Sequence, residues 1–181
     1  MGAWQQMMTS GDIRAFRAQL SLPAQVELFD YWLSLCEGPD IPRRAAFSPG
    51  GIPGLLPHVS LLEARPEPQV FRVRLAGTAL RDLHGREITS ETLQSPGWDG
   101  SRDYWLRIMR MIQETRQPAA GMLRAIDSGK DHLVQFWLRL PLRGPDPQQD
   151  MILGLDVCQT VSTLDGGLLG KADHLAATSG C

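Results

Sequence analysis

The residues able to do chemistry are few and scattered. The four histidines, His58, His84, His132 and His174, show no His-x-x-x-His spacing and no neighbouring cysteine. A metal centre needs ligands that converge, and local spacing offers no such set. Cys36, Cys158 and Cys181 are an odd number at wide separation, which suits neither a disulfide framework nor paired metal ligands and fits reduced thiols. No G-x-S-x-G elbow occurs, and Cys36 falls on the apolar arc of a predicted helix, where a free thiol behaves as a small hydrophobe. The carboxylates Asp99, Asp103, Glu114, Asp127 and Asp131 fall on turns and solvated faces, so no acid–base pair can be nominated. "GREITSE" is no phosphate loop, because its single glycine opens no strong helix and no lysine–serine pair follows. These absences point away from an enzyme.

A chain of 181 residues, 43% hydrophobic, can bury one substantial core, and its length favours a single domain. A net charge of -2 gives no electrostatic reason to expect nucleic acid as a partner. The first twenty residues mix Gln, Thr, Asp and Arg into their apolar content, unlike a signal peptide, and no stretch approaches a membrane-spanning length. A cytoplasmic protein with no membrane insertion is expected.

The elements that must position any site are well punctuated. "SLPAQVELFDYWLSLCEGPD" predicts a helix with Ser21 at its cap, Pro23 in its first turn and Gly38-Pro39 as its stop. At about 100° per residue its apolar residues, Phe29, Trp32, Leu33 and Cys36 among them, cover roughly half the circumference. That arc is wider than one sheet contact requires, which leaves part of it for a second surface. Prolines and glycines from Ile41 to Pro57 predict extended, turn-rich connection. "HVSLLEA" and "VFRVRLA" predict a hairpin, and "DGSRDYWLRIMRMIQETRQ" predicts an amphipathic helix, capped by Asp99 or Ser101. Three further strands are expected at Ala119 to Ile126, His132 to Leu142 and Met151 to Cys158. The expected organisation is an N-terminal extension at 1–20, one domain at 21–160 and a loosely ordered tail at 161–181. The fold class is α+β: a five-stranded antiparallel sheet with a long crossing helix on its inner face and an N-terminal helix on its outer face.

This plan resembles a PAS domain. The resemblance becomes specific in "YW" at Tyr31-Trp32, "LLPHVSLLEA", "RLAGTAL", "HGREIT" and "LPL" at Leu140 to Leu142. These are similar to the signature of short bacterial proteins in which a single PAS domain makes up almost the whole chain, and the likeness runs from about Pro23 to Cys158. Two positions depart from that pattern: His84 stands where phenylalanine is usual, and Ser90 follows the threonine where glycine is usual. In "RLAGTALRDLHGREIT" Gly77 is expected to turn the chain sharply off the second strand, Thr78 to cap a short helix and Gly85 to take a backbone angle closed to other residues.

The resemblance implies a ligand cavity beneath the long helix. Its expected lining is Phe71, Val73, Leu75, Phe136 and Leu138 from the sheet and Tyr104, Trp105, Ile108 and Met109 from the helix. His84 and Tyr104 would supply polar groups, with Arg86 as a candidate clamp; the same residues also suit a plain packed core. The long helix carries no histidine, which disfavours haem, though Met109 and His84 are available as ligands. The chain has no asparagine, which removes the asparagine–cysteine–arginine run of photochemical flavin domains. No cofactor and no metal are expected. On the long strand, Gln135, Trp137 and Arg139 are expected to point outward beside Arg72 and Arg74, and the acidic N-terminal helix is expected to cover them.

The function expected from this is a non-enzymatic sensor or adaptor in bacterial signalling or regulation. It would act through protein–protein contacts with a signalling partner, and a small ligand in the cavity is compatible with that role. The alternative is a small-molecule-binding protein or an enzyme that uses the same cavity. Because related PAS domains often associate through a helix before the first strand, a homodimer is expected. Its contact would be Phe29, Leu33 or Cys36, with Trp32 turned toward Trp137.

Overall fold

The computed structural model describes residues 10–38, 40–66, 69–98, 100–124, 133–146 and 149–160. Helix α1 spans Ser10–Gln19 and α2 spans Pro23–Ser34. Leu22, not Ser21, holds the cap position of α2. The Gln25 carboxamide, itself buried, accepts from the Ser21 and Leu22 backbone N–H groups and donates to the Trp137 carbonyl at 2.9 Å. One side chain therefore caps the helix and ties its start to the sheet. Pro49, Pro53 and Pro57 shape 3-10 turns at Pro49–Gly51 and Pro53–His58, as the composition of that stretch predicts.

Strands β1 (Val59–Pro66) and β2 (Gln69–Ala76) form the hairpin. Helix α3 (Thr78–His84) and the long α4 (Arg102–Thr115) precede β3 (Ala119–Arg124), β4 (Leu133–Arg143) and β5 (Asp150–Thr160). The sheet order is β2-β1-β5-β4-β3, antiparallel throughout, so the α+β plan expected from the sequence is the one observed. The tail at 161–181 and residues 1–9 of the extension lie outside the described residues. Among those described, no helix is long and apolar enough to cross a membrane.

Gly77 sits at the cap of α3 because a Cβ there would collide with the Leu56 and Pro57 carbonyls; Thr78 lies inside the helix and makes no cap. Gly85 ends the helix at φ 67°, the left-handed conformation expected of it. Ser90, at the position where the resemblance leads one to expect glycine, also has positive φ, 73°.

Both faces of the sheet are covered. Leu28, Phe29 and Trp32 of α2 pack on Leu138, Leu140 and Leu142 of β4 and Leu153 and Leu155 of β5. On the other face, Trp105, Met109 and Ile112 of α4 pack on Leu62, Phe71, Val73, Trp137 and Ile152. The faces of β4 are thus the reverse of the expected ones. Its wholly apolar row, with Phe136 and Leu138, lies under α2, and the row Gln135, Trp137 and Arg139 lies under α4. A strand buried on both sides has no solvent face, so its polar residues mark an interior polar site instead.

Two further expectations fail for identifiable reasons. The second surface for the wide arc of α2 is α1: Phe16 packs on Phe29 with ring centroids 5.0 Å apart, and Phe29 is fully buried. Phe29 therefore has no surface to offer a second copy, and Leu33 and Cys36 are half-buried against the same core. Trp32 does not approach Trp137; its indole N–H donates to the Pro141 carbonyl at 2.8 Å, on the α2 side.

Candidate functional site

The cavity beneath α4 is built around a charge. Arg139, 4% exposed, extends from the middle of β4 beneath α4. Its guanidinium lies over the Trp105 ring at 4.6 Å and is 5.9 Å from that of Trp137. Nη2 donates to Asp156 Oδ1 at 2.8 Å, and Nη1 donates to the carbonyls of Leu138 and Leu155 at 3.0 and 3.1 Å. Asp156 is equally buried and also accepts from the Gln135 amide at 2.7 Å. A buried ion pair needs this many partners, because desolvating each charge costs several kcal/mol that Coulomb attraction alone does not return. The cation stacked on indole adds to the pairing.

The sheet is shaped to admit the guanidinium. Gly154 on β5 stands opposite both Ser60 and Arg139, and a Cβ there would collide with Ser60 Oγ and come within 3.1 Å of Arg139 Nη1. On the other side of β4, Gly121 of β3 stands opposite Trp137, and a Cβ would lie 2.6 Å from the indole. Arg139 Nε finds no acceptor among the described residues. What remains open is about 20 Å³, bounded by Ser60, Leu62, Val73, Leu80, His84, Ile88, Leu93, Trp98, Trp105, Met109, Gln135, Arg139 and Asp156. That is room for a single water molecule.

Trp98 closes the cavity toward solvent, supported from outside. The His84 ring is 4.9 Å from it, the Arg86 guanidinium lies over it at 5.7 Å, and its N–H donates to Glu91, which also pairs with Arg86. Arg86 is thus a brace behind the wall, and among the expected lining residues Val73, His84, Trp105 and Met109 are those that border the open space. Phe71 is buried in the same core without reaching it, and Tyr104 and Ile108 pack half-buried around it. Burial raises the Tyr104 hydroxyl above the ordinary tyrosine range. Phe136 and Leu138 belong to the opposite face. Leu75 is 46% exposed: the β1–β2 register skips Arg74, so Leu75 pairs with Leu61 while Val73 pairs with Leu62. The bulge carries Leu75 off the cavity face.

The groups that organise the site, Arg139, Asp156 and Gln135, were not among the expected lining residues. The available signal was the alternation in β4, where the polar row is interrupted by Trp137 and faces Asp156 across the ladder. Among the described residues no cluster of His, Cys, Asp and Glu could hold a metal ion. Comparison with protein-family models matches residues 20–157 to the family described as PAS domain. A search of curated proteins returns no match.

Proposed function

The chain belongs to the PAS domain family, whose general role is sensing and regulation, and from that premise we propose a regulatory domain that works through protein contacts and needs no bound cofactor. The observation carrying this reading is that the cavity already has an occupant. Arg139 lies where a ligand would, held by indole, carboxylate and carbonyl groups, and about 20 Å³ is left. Haem and flavin are far larger than one water, although Met109 and His84 both border the space. The alternative, an enzyme or small-molecule carrier, has convergent polar groups in its favour. Those groups are spent on one another, and the space they share beneath α4 is about 20 Å³. A non-enzymatic, cytoplasmic adaptor in signalling is the finer form of this proposal.

Native mass spectrometry of freshly purified protein, compared with its denatured mass, tests it. The expected native mass per subunit is that of the chain alone. A retained organic ligand, or a visible absorption band surviving purification, would overturn the reading.

A further inference from the structure

Helix α1 lies outside the matched family domain, which begins at residue 20, yet it covers the part of α2 that the sheet leaves open. Its hold is slender. Phe16 rests on Phe29, Ile13 and Leu20 are partly buried on the same core, and Arg17 makes a two-point ion pair with Asp30 at 2.7 and 2.8 Å. Both partners of that pair are nearly half exposed, at 48% and 45%, so water and salt screen it. Ten residues are too few for a stable isolated helix, so α1 is helical because it is docked. Beside its last turn an open trough of about 450 Å³ lies between Phe16, Ala18 and Gln19 of α1 and Ala120 and Met122 of β3.

We propose that this face of α2 is a docking groove for a helix of another protein and that α1 is its built-in competitor. The partner's chemistry is the one α1 displays: an apolar residue, an aromatic three positions on, an arginine directly after it and an apolar residue three further, as in Ile13, Phe16, Arg17 and Leu20. A partner helix with larger side chains where α1 has Ala18 and Gln19 would also fill the trough toward β3, which gives it the means to displace α1. The inference extends the reading of the chain as an adaptor, but its test is independent. A filled cavity under α4 neither requires nor forbids a groove under α1, so either result can fail alone.

The probe is a fluorescein-labelled peptide of residues 8–21, titrated by anisotropy against the full chain and against full-chain Phe16→Ser, in which the competitor is weakened. The variant is expected to bind at least about tenfold more tightly than wild type, since apparent affinity scales with the fraction of open groove. Adding Asp30→Arg should weaken binding about fivefold, and a peptide carrying Arg17→Asp should recover it. Hydrogen exchange of β4 and β5 checks that the core is intact. If Phe16→Ser loses that protection, Arg17→Glu, which changes only an exposed contact, replaces it with an expected gain of about threefold. Equal affinity for wild type and the loosened variant, or no binding to either, overturns the proposal. So does a doubled mass of the loosened variant in light scattering without peptide, because the occupant would then be a second copy.

Discussion

Replacing Arg139 with methionine should be among the most damaging single changes in the chain. The substitution keeps much of the volume between Trp105 and Trp137 but removes donors to Asp156, Leu138 and Leu155 and the cation over the Trp105 ring. Among the described residues, the Asp156 carboxylate would keep the Gln135 amide alone, at a site now 4% exposed. An ion pair broken from one side in this way costs about 3–5 kcal/mol, because a charge is left buried without compensation. At a urea slope of about 2 kcal/mol/M the midpoint falls by about 2 M. Asp156→Leu alone should cost a similar amount, since it strands the guanidinium. The pair Arg139→Met with Asp156→Leu should then cost far less than the sum, with a coupling of at least about 2 kcal/mol. Urea unfolding followed by tryptophan fluorescence reads all four corners of the cycle, with Trp105 and Trp137 beside the change. Additive costs, or an Arg139→Met midpoint no lower than that of a surface substitution, would refute the claim that the charge pair organises this interior.

Gly121→Ala should destabilise by about 1–3 kcal/mol, as overpacking does, because its Cβ would meet the rigid Trp137 indole at 2.6 Å; thermal unfolding measures it. Ser90→Gly should stabilise by about 1 kcal/mol by relieving a left-handed conformation at φ 73°, and an unchanged or lower melting temperature would count against that strain. Burial pushes the Cys36 thiol up to about 11 from 9.0, so its labelling by a disulfide reagent near pH 8 should be far slower than that of an exposed thiol, read by peptide mapping. Because this raised group keeps its proton only in the folded state, its contribution to stability declines as pH climbs from 9 toward 11. The Arg17 hydrogen bond holds the Asp30 carboxyl below its ordinary range. The contact is therefore present above the unfolded carboxylate range and lost as pH falls through the folded value; the protection factors of α1 amides, which are corrected for intrinsic exchange at each pH, should fall at acid pH before those of β4.

The elements were legible where the chain punctuates itself. Pro23, the Pro49-to-Pro57 run, Gly77 and Gly85 mark boundaries by what a backbone cannot do, and those marks do not depend on tertiary context. Sidedness was less legible. In β4 the rows are Gln135, Trp137 and Arg139 against Phe136, Leu138 and Leu140, and a rule sending polar residues to water assigns the first row outward. It fails because both rows are buried and the polar one is completed by Asp156, 17 residues from Arg139 in sequence. Leu75 was misplaced by a single-residue bulge that no periodicity announces. Helix α1 was missed because its large apolar residues are Ile13 and Phe16, with Leu20 just past its end, among small and polar neighbours. What those three would meet was α2's arc, whose excess width was the visible trace of them.

The strand order has a consequence for how the molecule comes into being. β1 and β5 are adjacent at the centre of the sheet, with Val59 opposite Leu155, while β1–β2 and β3–β4–β5 are joined by local hairpins. Two local halves can form early, each with one unsatisfied central edge, and the closing step must bring together residues nearly a hundred positions apart. During synthesis the first hairpin must wait, with the inner edge of β1 unpaired, until β5 has emerged. The last strand made is a central one, so the sheet closes by zipping its middle, and a chain stopped short of β5 would hold two open edges ready to pair with a neighbour.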